Sequence, residues 1–125
     1  MTVGAVVGFA LLAAVAALVR FEASQRLNTE SFPSGTLVVN VIAALGAGLL
    51  TSALTSPGEL IAAVPDDVIA TMVIGAALGS MSTYSAFAVE AAEMARSGAW
   101  TRAGSYVGIT IVCTVGAAAI GLTVS

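Results

Sequence analysis

Apolar residues fill this chain in four long blocks, about 3–21, 35–54, 68–90 and 104–124, with short polar stretches between them. A helix needs roughly 20 apolar residues to cross the hydrocarbon core of a bilayer, so each block predicts a membrane-spanning helix. The separators, "EASQRLNTESFPS", "TSPGELIAAVPDD" and "AAEMARSGAWTRA", hold nearly all the charge and every proline. Pro33, Pro57 and Pro65 fall at span edges, where a missing amide hydrogen does least harm. Asp66 and Asp67, directly after Pro65, suit the start of a helix as caps. The first block has no charged side chain before Arg20, whereas a signal peptide opens on basic residues; it reads as a retained span. The expectation is one all-α integral membrane domain over residues 1–125.

The third block carries an interruption, "GSMSTYSAF" at residues 79–87, in which Ser80, Ser82, Thr83, Tyr84 and Ser85 all bear hydroxyls. Non-helical backbone at membrane depth survives only inside protein or beside a water-filled cavity. Gly79 tolerates unusual dihedrals, and neighbouring hydroxyls can bond the backbone groups a break sets free. The pattern therefore predicts a break at Gly79 to Ser82, against the alternative of a continuous helix with back-bonded hydroxyls. Small residues recur at a spacing of four, at Gly4 and Gly8, Gly75 and Gly79, and Gly104 and Gly108. In lipid such pairs allow close helix approach, so a tightly packed, self-associating bundle is expected.

Polar candidates inside the spans are few. Asn40 is the only amide, and Tyr106, Thr110 and Thr114 recur every four residues along the fourth span. Tyr84 and Phe87 are three apart and share one side of a helix. Aromatic edges carry the positive part of the ring quadrupole. With no carboxylate or amine at mid-membrane, this set suits a small anion that exchanges water for hydrogen bonds, and does not suit a proton relay.

Composition fixes the solvent. The chain is 58% hydrophobic and 9% charged, with a mean hydropathy of +1.04, against about 25% charged residues in soluble domains. It contains neither Lys nor His, which excludes histidine-based metal or acid–base sites and leaves nucleic-acid binding unsupported. Cys113 is alone, so no intrachain disulfide forms, and it reads as a small packing residue. Arg20, Arg26, Arg96 and Arg102 flank the first and third connections, and the second connection has no basic side chain. The positive-inside rule then places the first and third connections in the cytoplasm and both termini outside. Trp100 suits an interfacial anchor. Glu90, Glu93 and Arg96 read as a solvated helix-end cluster. A proton-coupled exporter of cationic drugs needs an embedded carboxylate, and residues 3–19 have none. No nucleophile, base and oxyanion set marks an enzyme.

Two stretches carry a resemblance. "FPSGTLVVNVIAALGAGLL" is similar to a pattern of Pro, any residue, Gly-Thr-Leu and then Val-Asn. "GSMSTYSAFAVE" is similar to Gly-Gly-Phe-Thr-Thr-Phe-Ser-Thr-Phe-Ser-x-Glu. With Arg20 closing the first span, both resemble the CrcB/Fluc fluoride channels over the whole chain. The resemblance implies passive export of fluoride across the cell membrane, relieving its toxicity. It implies a dimer of two four-helix subunits packed antiparallel in dual topology, with two pores. By position it implies pore roles for Asn40, Tyr84, Phe87, Tyr106, Thr110 and Thr114. It also implies a structural sodium ion at the dimer interface, held by the backbone carbonyls of Gly79 and Ser82. The chain departs from the pattern at Tyr84 for Phe, Ser82 for Thr, and Ser80-Met81 for Gly-Phe. The altered ring pair and the one-sided arginines point to a subunit of the paired-gene, heterodimeric type. A non-conducting assembly subunit of such a channel is the other reading.

Overall fold

A computed structural model describes residues 3–55 and 68–124. Among the described residues five helices follow in order: α1 Val3–Leu27, α2 Ser34–Thr55, α3 Val68–Met81, α4 Tyr84–Arg96 and α5 Trp100–Thr123. Among the described residues there is no strand, only an isolated antiparallel bridge between Asn28 and Pro33. The expected caps Asp66 and Asp67, and Pro57 and Pro65, lie outside the described residues.

Among the described residues three helices are long and apolar enough to cross a membrane alone, over Val6–Leu27, Ser34–Ala53 and Trp100–Thr123. Helix α3, with 14 residues, rises about 21 Å, short of the roughly 30 Å hydrocarbon core. The third crossing is therefore shared by α3 and α4. The interruption lies at Ser82 and Thr83, just beyond the expected glycine. Gly79 is helical, and Gly98 alone among the described residues has a positive φ. What stops α3 is a competing cap. The Thr83 hydroxyl accepts from the Ala86 amide and opens α4, so no left-handed glycine is needed.

Helix α1 continues past Phe21 through "EASQRL", where Glu22 and Arg26 pair one turn apart at the surface, a contact worth only a few tenths of a kcal/mol. Near the same end of the molecule α4 finishes in a Schellman turn. The Ala99 amide donates to Met94 O at 2.9 Å and the Gly98 amide to Ala95 O at 3.0 Å. Gly98 takes φ +81° there, the conformation that glycine supplies most readily. The turn lets α5 start at Trp100, which is exposed as an interfacial anchor is.

Helix α2 is the centre, in contact with all four other helices and most extensively with α5. A Cβ added at Gly48 would lie 2.3 Å from Ala118 O, and one added at Gly121 would lie 2.5 Å from Leu45 O. The two backbones meet through these glycines. The glycine pairs singled out by spacing are not the ones that pack. Gly4, Gly8, Gly79, Gly104 and Gly108 have nothing within 4 Å of an added Cβ, and Gly75 only Leu50 at 4.0 Å. Spacing marks a smooth face but not what covers it, and these faces look outward. Helix α1, with Ala16 buried and Leu11, Val15, Leu18 and Phe21 exposed, presents a similar apolar exterior.

Candidate functional site

The helix break is organised by Asn40 on α2. Its Oδ1 accepts from the Thr83 amide at 2.8 Å, which in a continuous helix would donate to Gly79 O. The Ala86 amide, whose helical partner would be Ser82 O, donates instead to Thr83 Oγ1 at 3.2 Å. No donor among the described residues reaches either carbonyl, and both residues line the same cavity. An unpaired carbonyl in a low-dielectric setting is costly, so the two oxygens are a ready pair of hard ligands. They fit a small cation such as sodium. Among the described residues no cluster of His, Cys, Asp or Glu could hold a metal.

Ser80, where the resembling pattern has glycine, ties α3 to α1. Its hydroxyl donates to Ala13 O at 2.7 Å, and its carbonyl accepts from Arg20 Nη1 at 3.3 Å. Arg20 thus holds the end of α3 as well as marking a membrane face. Arg26 pairs with Glu22, Arg96 lies in the last turn of α4, and Arg102 lines a separate outer cavity with Glu30 and Glu93.

The larger cavity, about 730 Å³, brings together Asn40, Tyr84, Phe87, Thr110 and Thr114, with Ala43, Ala47 and Leu78 among its apolar lining. Because the Thr83 amide can only donate, the Asn40 atom facing it must be oxygen. The other end of the amide, two N–H donors, has no partner among the described residues. Thr110 is 5% exposed, and its Oγ1 is buried without a hydrogen bond. The Thr114 hydroxyl back-bonds to Thr110 O at 2.7 Å. Tyr84 and Phe87 stand 6.0 Å apart, inclined at 50°, and Tyr84 is 80% exposed in the single chain.

Tyr106, expected with Thr110 and Thr114 along one polar track, does not line this cavity. Its ring is fully buried, edge-on to Phe32 at 5.3 Å and tilted against Phe87 at 5.4 Å. The long side chain carries its hydroxyl away to Glu90 Oε2, to which it donates at 2.7 Å. Glu90 is thereby corrected from a solvated residue beside Glu93 and Arg96 to a partly buried hub. Its Oε1 accepts from Thr36 Oγ1 at 2.7 Å and from Asn28 Nδ2 at 3.1 Å. Sequence reasoning missed Thr36 and Asn28. The available signal was the threonine in "GTL", a β-branched polar residue at the mouth of an apolar block.

The family described as "CrcB-like protein, Camphor Resistance (CrcB)" matches residues 7–122. The fluoride-specific ion channel FluC of Hyphomonas neptunium is 38% identical over 91 residues, covering 73% of this chain and 68% of that protein. FluC 1 of Frankia casuarinae is 34% identical, covering 87% of this chain and 86% of its own length. FluC of Chloroflexus aurantiacus is 31% identical, covering 89% and 90% respectively. With a match along nearly its whole length, the chain belongs to the CrcB family.

Proposed function

We propose that this chain is a subunit of a fluoride-specific channel that lets fluoride leave the cell passively; it is not an enzyme. The observation that carries the reading is the cavity at the helix break, where Asn40 and Thr110, whose buried hydroxyl has no partner, line the same space as the Tyr84 and Phe87 rings. Fluoride gives up water only for comparably strong donors, and amide, hydroxyl and ring edges supply positive ends without a fixed cation that would trap it. The fluoride-specific names of the relatives support the same ion.

The functional unit in this reading is a dimer of two inverted subunits in the plasma membrane. The cavity is walled by one subunit only in part, Tyr84 is largely exposed, and Gly79 has open space beside it. Two carbonyls from one chain do not complete a shell around a cation, whereas Gly79 and Ser82 together with the matching positions of an inverted partner supply four. Sodium in that place would neutralise the carbonyl dipoles and join the subunits. The four arginines on one membrane side favour a fixed orientation, with both termini outside and a homologous partner inverted against it.

The test is fluoride efflux from liposomes, read with a fluoride electrode, for this chain alone and with a homologous partner. Fluoride passes and chloride is excluded. Equal passage of the two anions would remove the assignment. Topology tags that find both orientations in equal amounts would replace the fixed-orientation reading with a dual-topology homodimer.

A further inference from the structure

The hydrogen bonds at Asn28 exceed what a loop residue needs. Its Oδ1 accepts from the amides of Gly35 at 2.8 Å and Thr36 at 3.2 Å, capping α2 from across the turn. Its Nδ2 donates to Glu90 Oε1 at 3.1 Å and lies 3.4 Å from Thr36 Oγ1. Both lone pairs and both hydrogens of the amide are thus employed. On the far side of Glu90, Tyr106 donates to Oε2, and the Tyr106 ring packs on Phe87, a wall of the larger cavity. Glu90 also borders the outer cavity, about 410 Å³, that holds Glu30, Glu93 and Arg102. Its carboxylate therefore has somewhere else to go. Thr36, buried and itself bonded to Asn28, supplies one inward bond, and Asn28 supplies the other.

We propose that Asn28 is a positioning residue for conduction: its amide hydrogens hold the Glu90 carboxylate inward, keeping Tyr106 bonded and the Phe87 wall in place. The proposal rests on the channel reading above. It separates two jobs of one side chain, a cap made through oxygen and a clasp made through nitrogen.

Asn28→Asp divides them. A carboxylate caps α2 as well as an amide does, but it turns an oxygen toward Glu90. Two carboxylates at that distance cannot both ionise, and the pair must share a proton. Efflux of the variant, corrected for leak through protein-free liposomes, should fall about ten-fold at pH 8 and recover toward pH 5.5 as one carboxyl is protonated. In a Glu90→Gln background the same substitution should cost nothing, because amide and carboxylate have only changed places. Ultraviolet resonance Raman of Tyr106, in a Tyr84→Phe background that leaves it the sole tyrosine, should report a weakened hydroxyl bond that returns at acid pH.

Efflux of Asn28→Asp equal to wild type at every pH, or a Tyr106 band that does not respond, overturns the proposal. If Asn28→Asp yields no folded protein and Asn28→Asp/Glu90→Gln does, the clasp is upheld; if neither folds, relieving the carboxylate pair does not rescue the variant and the proposal fails. A wild-type chain that passes no fluoride, alone or with a partner, sinks the channel reading instead, and the Raman measurement still decides the clasp.

Discussion

At the residue scale, Asn40 works through both ends of one amide. The oxygen holds the backbone of Thr83, and this fixes the two N–H donors toward the cavity without any further contact. Asn40→Asp keeps an acceptor for Thr83 but replaces those donors with a second oxygen. Fluoride efflux is expected to drop by at least ten-fold, about 1.4 kcal/mol of lost anion stabilisation, with the fold retained by circular dichroism; unchanged efflux would remove Asn40 from the pathway. Thr110 offers a cleaner separation. Its hydroxyl is buried and unpaired, a state that costs about 1–3 kcal/mol. Thr110→Val, close in shape, should raise the thermal midpoint in detergent while slowing efflux, and Thr110→Ser should do neither. Much of this site was legible in the sequence because polar residues are so scarce in the spans that each one must be explained. Tyr106 was misplaced for a physical reason. Periodicity of four aligns Cα positions, whereas a tyrosine hydroxyl sits far from its own Cα and follows its partner. That partner, Glu90, is 16 residues away on another helix.

At the element scale, two devices hold the helices in register. The first is the break, where Thr83 and Asn40 replace two helical hydrogen bonds with a cap and a cross-helix bond. Thr83→Ala removes the cap and should lower stability by about 1 kcal/mol, read as an earlier unfolding midpoint, with a larger loss of efflux as Ser82 and Thr83 move. The second is the crossing of α2 and α5 at Gly48 and Gly121. Gly48→Val or Gly121→Val drives side-chain atoms into backbone, and both should abolish folded protein by size-exclusion chromatography. Gly104→Ala and Gly108→Ala should be nearly silent for the single subunit. That contrast also marks what the sequence could show about the fold. Four apolar blocks reveal where spans lie, and five hydroxyls in nine residues reveal where one is divided. Which glycines touch depends on helix rotation, and α1, so uniformly apolar, leaves its rotation unspecified, while the small residues of α5 do not say which of its glycines meets α2. The α1 extension to Leu27 escaped because its polar residues look like a loop, although "EASQRL" contains no helix breaker.

At the scale of the whole molecule, the described chain leaves a cavity part-walled and two carbonyls unpaired on the same side. If the inverted partner completes both, Gly79→Leu should leave the subunit folded, since nothing lies within 4 Å of an added Cβ, and should abolish the dimer in cross-linking and light scattering. A dimer that persists would move the interface elsewhere. Replacing sodium with choline should lower the thermal midpoint of the dimer and leave the separated subunit unaffected. The crossing of α2 with α5 has a further consequence, in time and not in space. Partners 73 positions apart (121 − 48) are synthesised far apart, so α2 enters the bilayer long before the helix that fits it. Helix α3 is too short to settle across the membrane by itself, and it too waits. A ribosome that has delivered three of the four crossings has therefore made a chain whose central helix still lacks its most extensive partner, and the face of α2 that carries Gly48 stays open until α5 arrives.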